Sequence, residues 1–486
     1  MFELGALELS SEIKSKKISV NEAVSAYLKS ITGNNNQYNA FITVLEEKAL
    51  IDAEKIQQRI NKGENISPLA GVPVAVKDNI CTMGIETTCA SKMLKGYRPV
   101  FNASVIEKME EAGMILIGKL NMDEFAMGRT GRQSAFGDVK NPWNTSLVTG
   151  GSSSGSAAAV AGMEAPLSLG TDTGGSIRNP CAYCGLTGIK PSYGSVSRYG
   201  LVAHASSLDQ IGPMGKNIDD AAALLEIISG PDEKDNTCIM NTAFDFDIAG
   251  QKKNNADGKP LSNIKIGLPI NLFDSNMSDE VRNSIMNAAK EFENRGAIME
   301  EFEMPLKDYF IPVYISISAA EAYSNLSRFD GLKYGYRNKD AKDLSELYSL
   351  SRGEGFGMEV KKRIMLGSMI LSSENYDLYY RKAMQIRTLI INSYKDLFKK
   401  YDVILSPVSF TTAYKPEEVS DTRIFNVSAN LAGLPALALP CGLDNKGLPI
   451  GFQLTGKAFS ESLLINSARV YQNCTIHHTE RPGAKR

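Results

Sequence analysis

Between residues 69 and 213 short apolar runs alternate with segments of small residues, and that alternation restricts the chain to a sheet covered by helices. The runs are 72–76, 114–118 and 186–190, with an alanine-rich helix over 157–161 placed among them. An all-α or all-β fold does not read this way. The expected fold class is therefore α/β, a large mixed sheet with helices on both faces. A length of 486 residues allows two to four domains or one large unit, and 43% hydrophobic residues suffice for a sizeable core.

Outside that core the signals are more local. Ser19 with Glu22 forms a capping box ahead of an apolar-periodic helix, residues 34–36 read as a loop, and 39–44 as a short strand. The polar stretch 231–263 is expected to be a surface loop or subdomain joint. Beyond it come a strand from 264, an amphipathic helix over 278–295, a further strand and a helix-rich stretch over 314–401. Strands from 403 and from 451 return to the sheet.

The chemistry concentrates in GGSSSGSAAAVAGMEAPLSLGTDTGGS, residues 150–176. Such a density of serine suggests acyl transfer, yet the chain has only three histidines, His204, His477 and His478. A lysine offers another base. Lys77 ends the apolar run of PLAGVPVAVKDN, and a buried lysine loses its proton far more readily than an exposed one. Ser176 follows Gly174 and Gly175, which carry no side chains and let backbone N–H groups from Thr173 to Ser176 converge on one point. Serine, serine and lysine can perform acyl transfer without histidine.

Each piece also has a blander interpretation. DTGGS alone is a Gly-rich turn before a helix, and VKD alone is a surface lysine paired with Asp78. Residues 150–155 satisfy GxxxxG, but Ser156 stands where a phosphate loop needs lysine. A flexible linker is excluded because the alanine helix begins at once. Cys181 and Cys184 form a CxxC without a second pair at zinc-site spacing, so they are expected to be structural and no metal is expected. His204 reads as a satisfied or loop histidine, and Asp172 and Arg178 as braces of the Gly-rich loop.

Taken together, Lys77, GGSSSGS from Gly150 and DTGGSIR from Asp172 resemble the amidase signature family. The likeness is strongest to its branch of A subunits of glutamyl-tRNA(Gln)/aspartyl-tRNA(Asn) amidotransferases. It runs on through KLNMDEFAMG from Lys119, NPCAYCG from Asn179, SRFDGLKYGYR from Ser327, EGFGMEVKKRIMLG from Glu354 and NLAGLPALALP from Asn430. The resemblance implies one amidase unit over 1–486 with its signature core at about 69–213. It implies a triad of Lys77, Ser152 and Ser176, with Ser152 passing a proton between the other two, and an oxyanion hole at Thr173, Gly174 and Gly175.

The same resemblance implies a glutaminase activity that supplies ammonia to a partner B subunit, with a small C subunit completing the heterotrimer. ATP and Mg²⁺ are expected on the partner, and no cofactor in this chain. The alternative is a stand-alone or diverged amidase acting on another small amide. Glutamine is expected to meet Tyr314 and Arg363, but the aspartate implied for its α-ammonium falls on Arg423, which would reverse the local charge. A second departure puts RTGRQ, with Arg129 and Arg132, after FAMG.

With 53 Lys and Arg against 55 Asp and Glu, the formal charge is −2, so no basic field grips a phosphate backbone and tRNA is expected to be held mainly by a partner. No apolar run is long enough to span a bilayer, the first residues lack a signal-peptide core, and seven cysteines, an odd number, read as reduced thiols. A cytoplasmic protein is the expectation.

Overall fold

The computed structural model describes residues 1–64, 66–239, 244–246, 259–273, 276–418 and 421–483. Among these the strands are β1 (Phe41–Val44), β2 (Pro73–Lys77), β3 (Ile115–Leu120), β4 (Leu167–Asp172), β5 (Thr187–Lys190) and β6 (Gln210–Gly215). The later strands are β7 (Lys265–Pro269), β8 (Ile298–Phe302), β9 (Val403–Pro407), β10 (Ala436–Leu443) and β11 (Pro449–Gly456). All eleven join one sheet in the order β1-β3-β2-β4-β6-β5-β10-β11-β9-β7-β8. It is mixed: β3, β2 and β4 run parallel, β6 turns antiparallel to β4, and β7 is parallel to both β8 and β9.

Side-chain alternation explains why both faces are covered. Val74, Val76 and Leu116 point into the main core, whereas Ala75, Ile115 and Ile117 enter a second core under the N-terminal helices. The helix Ser154–Ala161 is buried along its whole length. Its small residues permit that approach, since a Cβ on Gly155 would sit 2.4 Å from the Asn121 carbonyl oxygen. Ser156 Oγ donates to the Leu169 carbonyl at 3.0 Å, so the hydroxyl is buried without loss.

The expected capping box at Ser19 and Glu22 is present. Residues 34–36 differ from expectation: they belong to the helix Val20–Tyr38, which ends only where Asn39 turns left-handed at φ 52°. Asn35 reaches past that turn, accepting from Phe41 N–H at 2.8 Å and donating to Phe41 O at 3.1 Å, so asparagine here ties helix to strand. Much of the polar stretch 231–263 lies outside the described residues. Among the described residues no helix is long and apolar enough to cross a membrane.

The topology places two strand ends together. β2 and β4 are parallel neighbours, so Lys77 and Asp172, each the last residue of its strand, emerge on one side of the sheet. The antiparallel β6 follows β4, leaving a crevice where the order changes.

Candidate active site

Lys77 is fully buried, and Asp78 does not pair with it. Asp78 instead meets Lys119 at 3.2 Å and accepts from Thr88 N–H at 2.8 Å. Lys77 Nζ lies 2.7 Å from Ser152 Oγ, 2.9 Å from Ser153 Oγ and 2.8 Å from Thr171 Oγ1. Burial drives its pKa down to about 7 against the opposing pull of Asp123, Asp172 and Asp209.

These contacts assign proton positions. A neutral amine has two N–H donors and one lone pair, so one of the three partners must donate to it. Ser153 uses its own proton on the Thr171 carbonyl at 3.0 Å, which makes its oxygen an acceptor from lysine. Thr171 Oγ1 also receives Asn79 Nδ2 at 3.2 Å. Ser152 and Thr171 are thus the two hydroxyls that can point a proton at the lysine lone pair, and Ser152 is the nearer at 2.7 Å. Ser153 and Thr171 are site residues that the sequence does not single out. The run SSS contains two of the hydroxyls around the lysine, but only the fold says which serine does what.

The loop after β4 is held by a buried ion pair. Arg178 Nε and Nη2 bond Asp172 at 3.1 and 3.2 Å, and Arg178 also reaches Gln453, the Asn426 carbonyl and Asn430 at 2.8 to 3.0 Å. Burial alone would raise the Asp172 pKa, but the guanidinium holds it well below the usual carboxylate range. Asp172 Oδ1 also accepts from Gly175 N–H at 2.7 Å and Oδ2 from Ile177 N–H at 3.1 Å. Of the expected oxyanion donors, the Gly175 N–H is therefore turned toward Asp172. Arg178→Ala is expected to destabilise the fold by about 3–5 kcal/mol, because it strands a buried carboxylate. Urea denaturation reads this directly, and a wild-type midpoint would show that the pair does not tie the loop.

Ser176 lines a cavity of about 340 Å³ together with Gly151, Gly174 and Gly175. Its carbonyl accepts from Ser153 N–H at 3.3 Å, joining the two serine loops. A Cβ on Gly174 would sit 2.6 Å from the Tyr314 ring, and one on Gly175, at φ +113°, would sit 2.7 Å from Asn426. Both glycines are thus required by close approach. A larger cleft of about 790 Å³ contains none of Lys77, Ser152 and Ser176.

Tyr314 from the helix Lys307–Leu326, Arg363 from the helix Met358–Ile370 and Arg423 from the helix Arg423–Leu431 line the same cavity. Asp421, two residues upstream, accepts from Arg423 Nε at 2.9 and 3.0 Å and from Arg129 Nη1 at 2.6 Å, so Arg423 is paired from the adjoining turn, although the one carboxylate is shared between two guanidinium groups. Arg132 bonds Asp138 at 2.7 Å and is not among the residues lining the cavity.

His204 also departs from expectation. It lines the cavity, is buried, and has no hydrogen-bond partner for either ring nitrogen among the described residues. Its apolar flanks in LVAHASS could have signalled burial, but nothing in them signals a cavity. Cys181 and Cys184 are buried free thiols in the helix Arg178–Cys184. Among the described residues no group of three or more His, Cys, Asp or Glu is placed to hold a metal.

A family model described as amidase matches residues 22–465. The chain is 50% identical over 495 aligned residues to the glutamyl-tRNA(Gln) amidotransferase A subunit of Lachnoclostridium phytofermentans, covering 99% of this chain and 98% of that one. It is similar to the solved glutamyl-tRNA(Gln) amidotransferase A subunit of Thermotoga maritima, with 38% identity, a TM-score of 0.77 and coverage of 98% and 96%. It is also similar to the native peptide amidase of Stenotrophomonas maltophilia, with 27% identity, a TM-score of 0.83 and coverage of 99% and 98%.

Proposed function

The chain belongs to the amidase family, and from that premise we propose that it is the glutamine-hydrolysing A subunit of a tRNA-dependent amidotransferase. The observation that carries the chemistry is the buried Lys77 Nζ at 2.7 Å from the Oγ of Ser152, the residue that follows Gly151, which lines the same cavity as Ser176. The full-length likeness to A subunits supports the physiological role.

In this reading Ser176 Oγ attacks the amide carbonyl carbon. Its proton passes to Ser152, whose own proton passes to the lone pair of Lys77. The oxyanion meets backbone N–H groups of Thr173, Gly174 and Ser176, while Gly175 N–H stays on Asp172 and keeps the loop in shape. Collapse breaks the C–N bond, and the relay returns the proton to the leaving ammonia. Water then cleaves the acyl-enzyme to glutamate and restores Ser176. Tyr314, Arg363 and Arg423 surround the amino-acid end.

The ammonia would go to a B subunit that phosphorylates glutamyl-tRNA(Gln) with ATP and Mg²⁺, with a C subunit holding the pair, in the cytoplasm. The near-zero formal charge of −2 supports leaving tRNA to a partner. One observation favours a second reading, a stand-alone amidase for another small amide: a guanidinium at residue 423 is an unusual neighbour for an α-ammonium. Co-expression with candidate B and C subunits and a glutaminase assay separate the two. Co-purification with ammonia release from glutamine is the expected result. A chain that stays alone and hydrolyses other amides but not glutamine would establish the second reading.

A further inference from the structure

We propose that Glu359 and His204 together form the receptor for the α-ammonium of the substrate, so that the cavity takes an α-amino acid amide despite the arginine at position 423. This rests on the amidase reading and adds to it the residues that choose the substrate class.

The carboxylates near the cavity are not equally available. Both oxygens of Asp421 are engaged by guanidinium groups, and Asp421 is not among the residues lining the cavity. Glu359 does line it. Its Oε1 accepts both bonds from Arg363, at 3.1 and 3.0 Å, while Oε2 has no bond among the described residues. A carboxylate has about four lone-pair sites, so one oxygen can serve Arg363 while the other receives an ammonium.

His204 supplies the second acceptor. Leaving a buried imidazole with both nitrogens unpaired is costly unless a ligand completes it. Burial, with Arg363 nearby, pulls its pKa down to about 3, so it is neutral and one nitrogen carries a lone pair. Its position is fixed rather than incidental. Asp209 accepts from the N–H groups of His204 and Ala205 at 2.9 and 3.1 Å and from Thr173 Oγ1 at 2.7 Å. Asn325, on the helix that carries Tyr314, donates to the His204 carbonyl at 3.2 Å. The histidine is thereby tied both to the Ser176 loop and to the helix behind Tyr314.

Charge balance agrees. An ammonium against Glu359 leaves the outer N–H groups of Arg363 and Arg423 for the α-carboxylate, which suits their planar forks. The reacting amide then points toward Ser176.

The test compares L-glutamine with glutaramic acid, the same amide lacking the amino group, on the protein purified with whatever subunits accompany it. The readout is the ratio of the two kcat/KM values within each variant, which cancels differences in folded fraction. It also cancels any damage to carboxylate binding through Arg363, since both substrates carry that group. Wild type should prefer glutamine. Glu359→Gln should lower the ratio about ten- to a hundredfold, the scale of one lost charge-assisted bond, and His204→Phe should lower it about three- to tenfold. Unchanged ratios in both variants, or a wild-type preference for glutaramic acid, overturn the proposal. So does a ratio that falls in Asp421→Asn but not in Glu359→Gln. Hydrolysis of neither amide by wild type overturns the glutamine-hydrolysing reading as well, and leaves the stand-alone amidase for another amide.

Discussion

Ser176→Ala is expected to slow amide hydrolysis by about 10⁴- to 10⁶-fold, the loss that follows removal of a nucleophile whose partners then have nothing to activate. No neighbour can stand in. Ser152 is fully buried against Lys77, and Ser153 has committed its proton to the Thr171 carbonyl. Ser176 alone among the three is partly open, at 7% exposure, and lines the cavity beside Gly174. A slowly hydrolysed amide or a fluorophosphonate should leave its adduct on the peptide containing Asp172 to Arg178. An adduct elsewhere, or a variant within tenfold of wild type, removes Ser176 from the reaction. The fold should survive the change, because the loop is held by Asp172 and Arg178 rather than by the serine hydroxyl.

The parts that composition and spacing make legible are those with strong local constraints. Lys77 is readable because a charged residue closing an apolar strand must be either exposed or used. The two glycines before Ser176 are readable because side-chain-free backbone marks close approach, here to Tyr314 and Asn426. Strand order is not readable. Parallel β2 and β4 bring Lys77 Nζ within 2.8 Å of Thr171 Oγ1 at the end of β4, yet the two residues are 94 positions apart, and no local pattern encodes that meeting. The same limit hides the cavity's electrostatics. Arg423 reads as an uncompensated cation because its partner, Asp421, acts through the turn into the following helix. His204 reads as a packed histidine because unsatisfied ring nitrogens are a property of three-dimensional surroundings. Asparagines 34 to 36 read as a loop because their use as a helix-to-strand tie depends on Phe41 lying just past the turn.

Lys77 should set the rise of activity with pH. Only the neutral amine can take a proton from Ser152, and burial brings its pKa to about 7. The rate should therefore climb about tenfold per pH unit below 7 and level off above it, in kcat/KM for the free enzyme. Lys77→Ala should abolish that limb and lower activity by about three orders of magnitude or more. Lys77→Arg should fail to rescue it, since guanidinium stays protonated and is larger than a fully buried site allows. Three other groups need separating from this one, the first being Asp209, whose pKa burial raises to about 6 and which accepts from Thr173, so its limb would lie below that of Lys77. His204, with its pKa near 3, cannot produce a limb near 7. Lys190 can, because burial also lowers its pKa to about 7, and it lies within electrostatic reach of Asp172 and Arg178. Its Nζ donates to the Pro191 carbonyl at 2.8 Å and touches neither serine, so Lys190→Met should keep the limb even if the protein loses some stability. Disappearance of the limb in Lys190→Met would move the titration from the base to the support beneath the loop. Its persistence there, with loss in Lys77→Ala, places the proton acceptor at the end of β2.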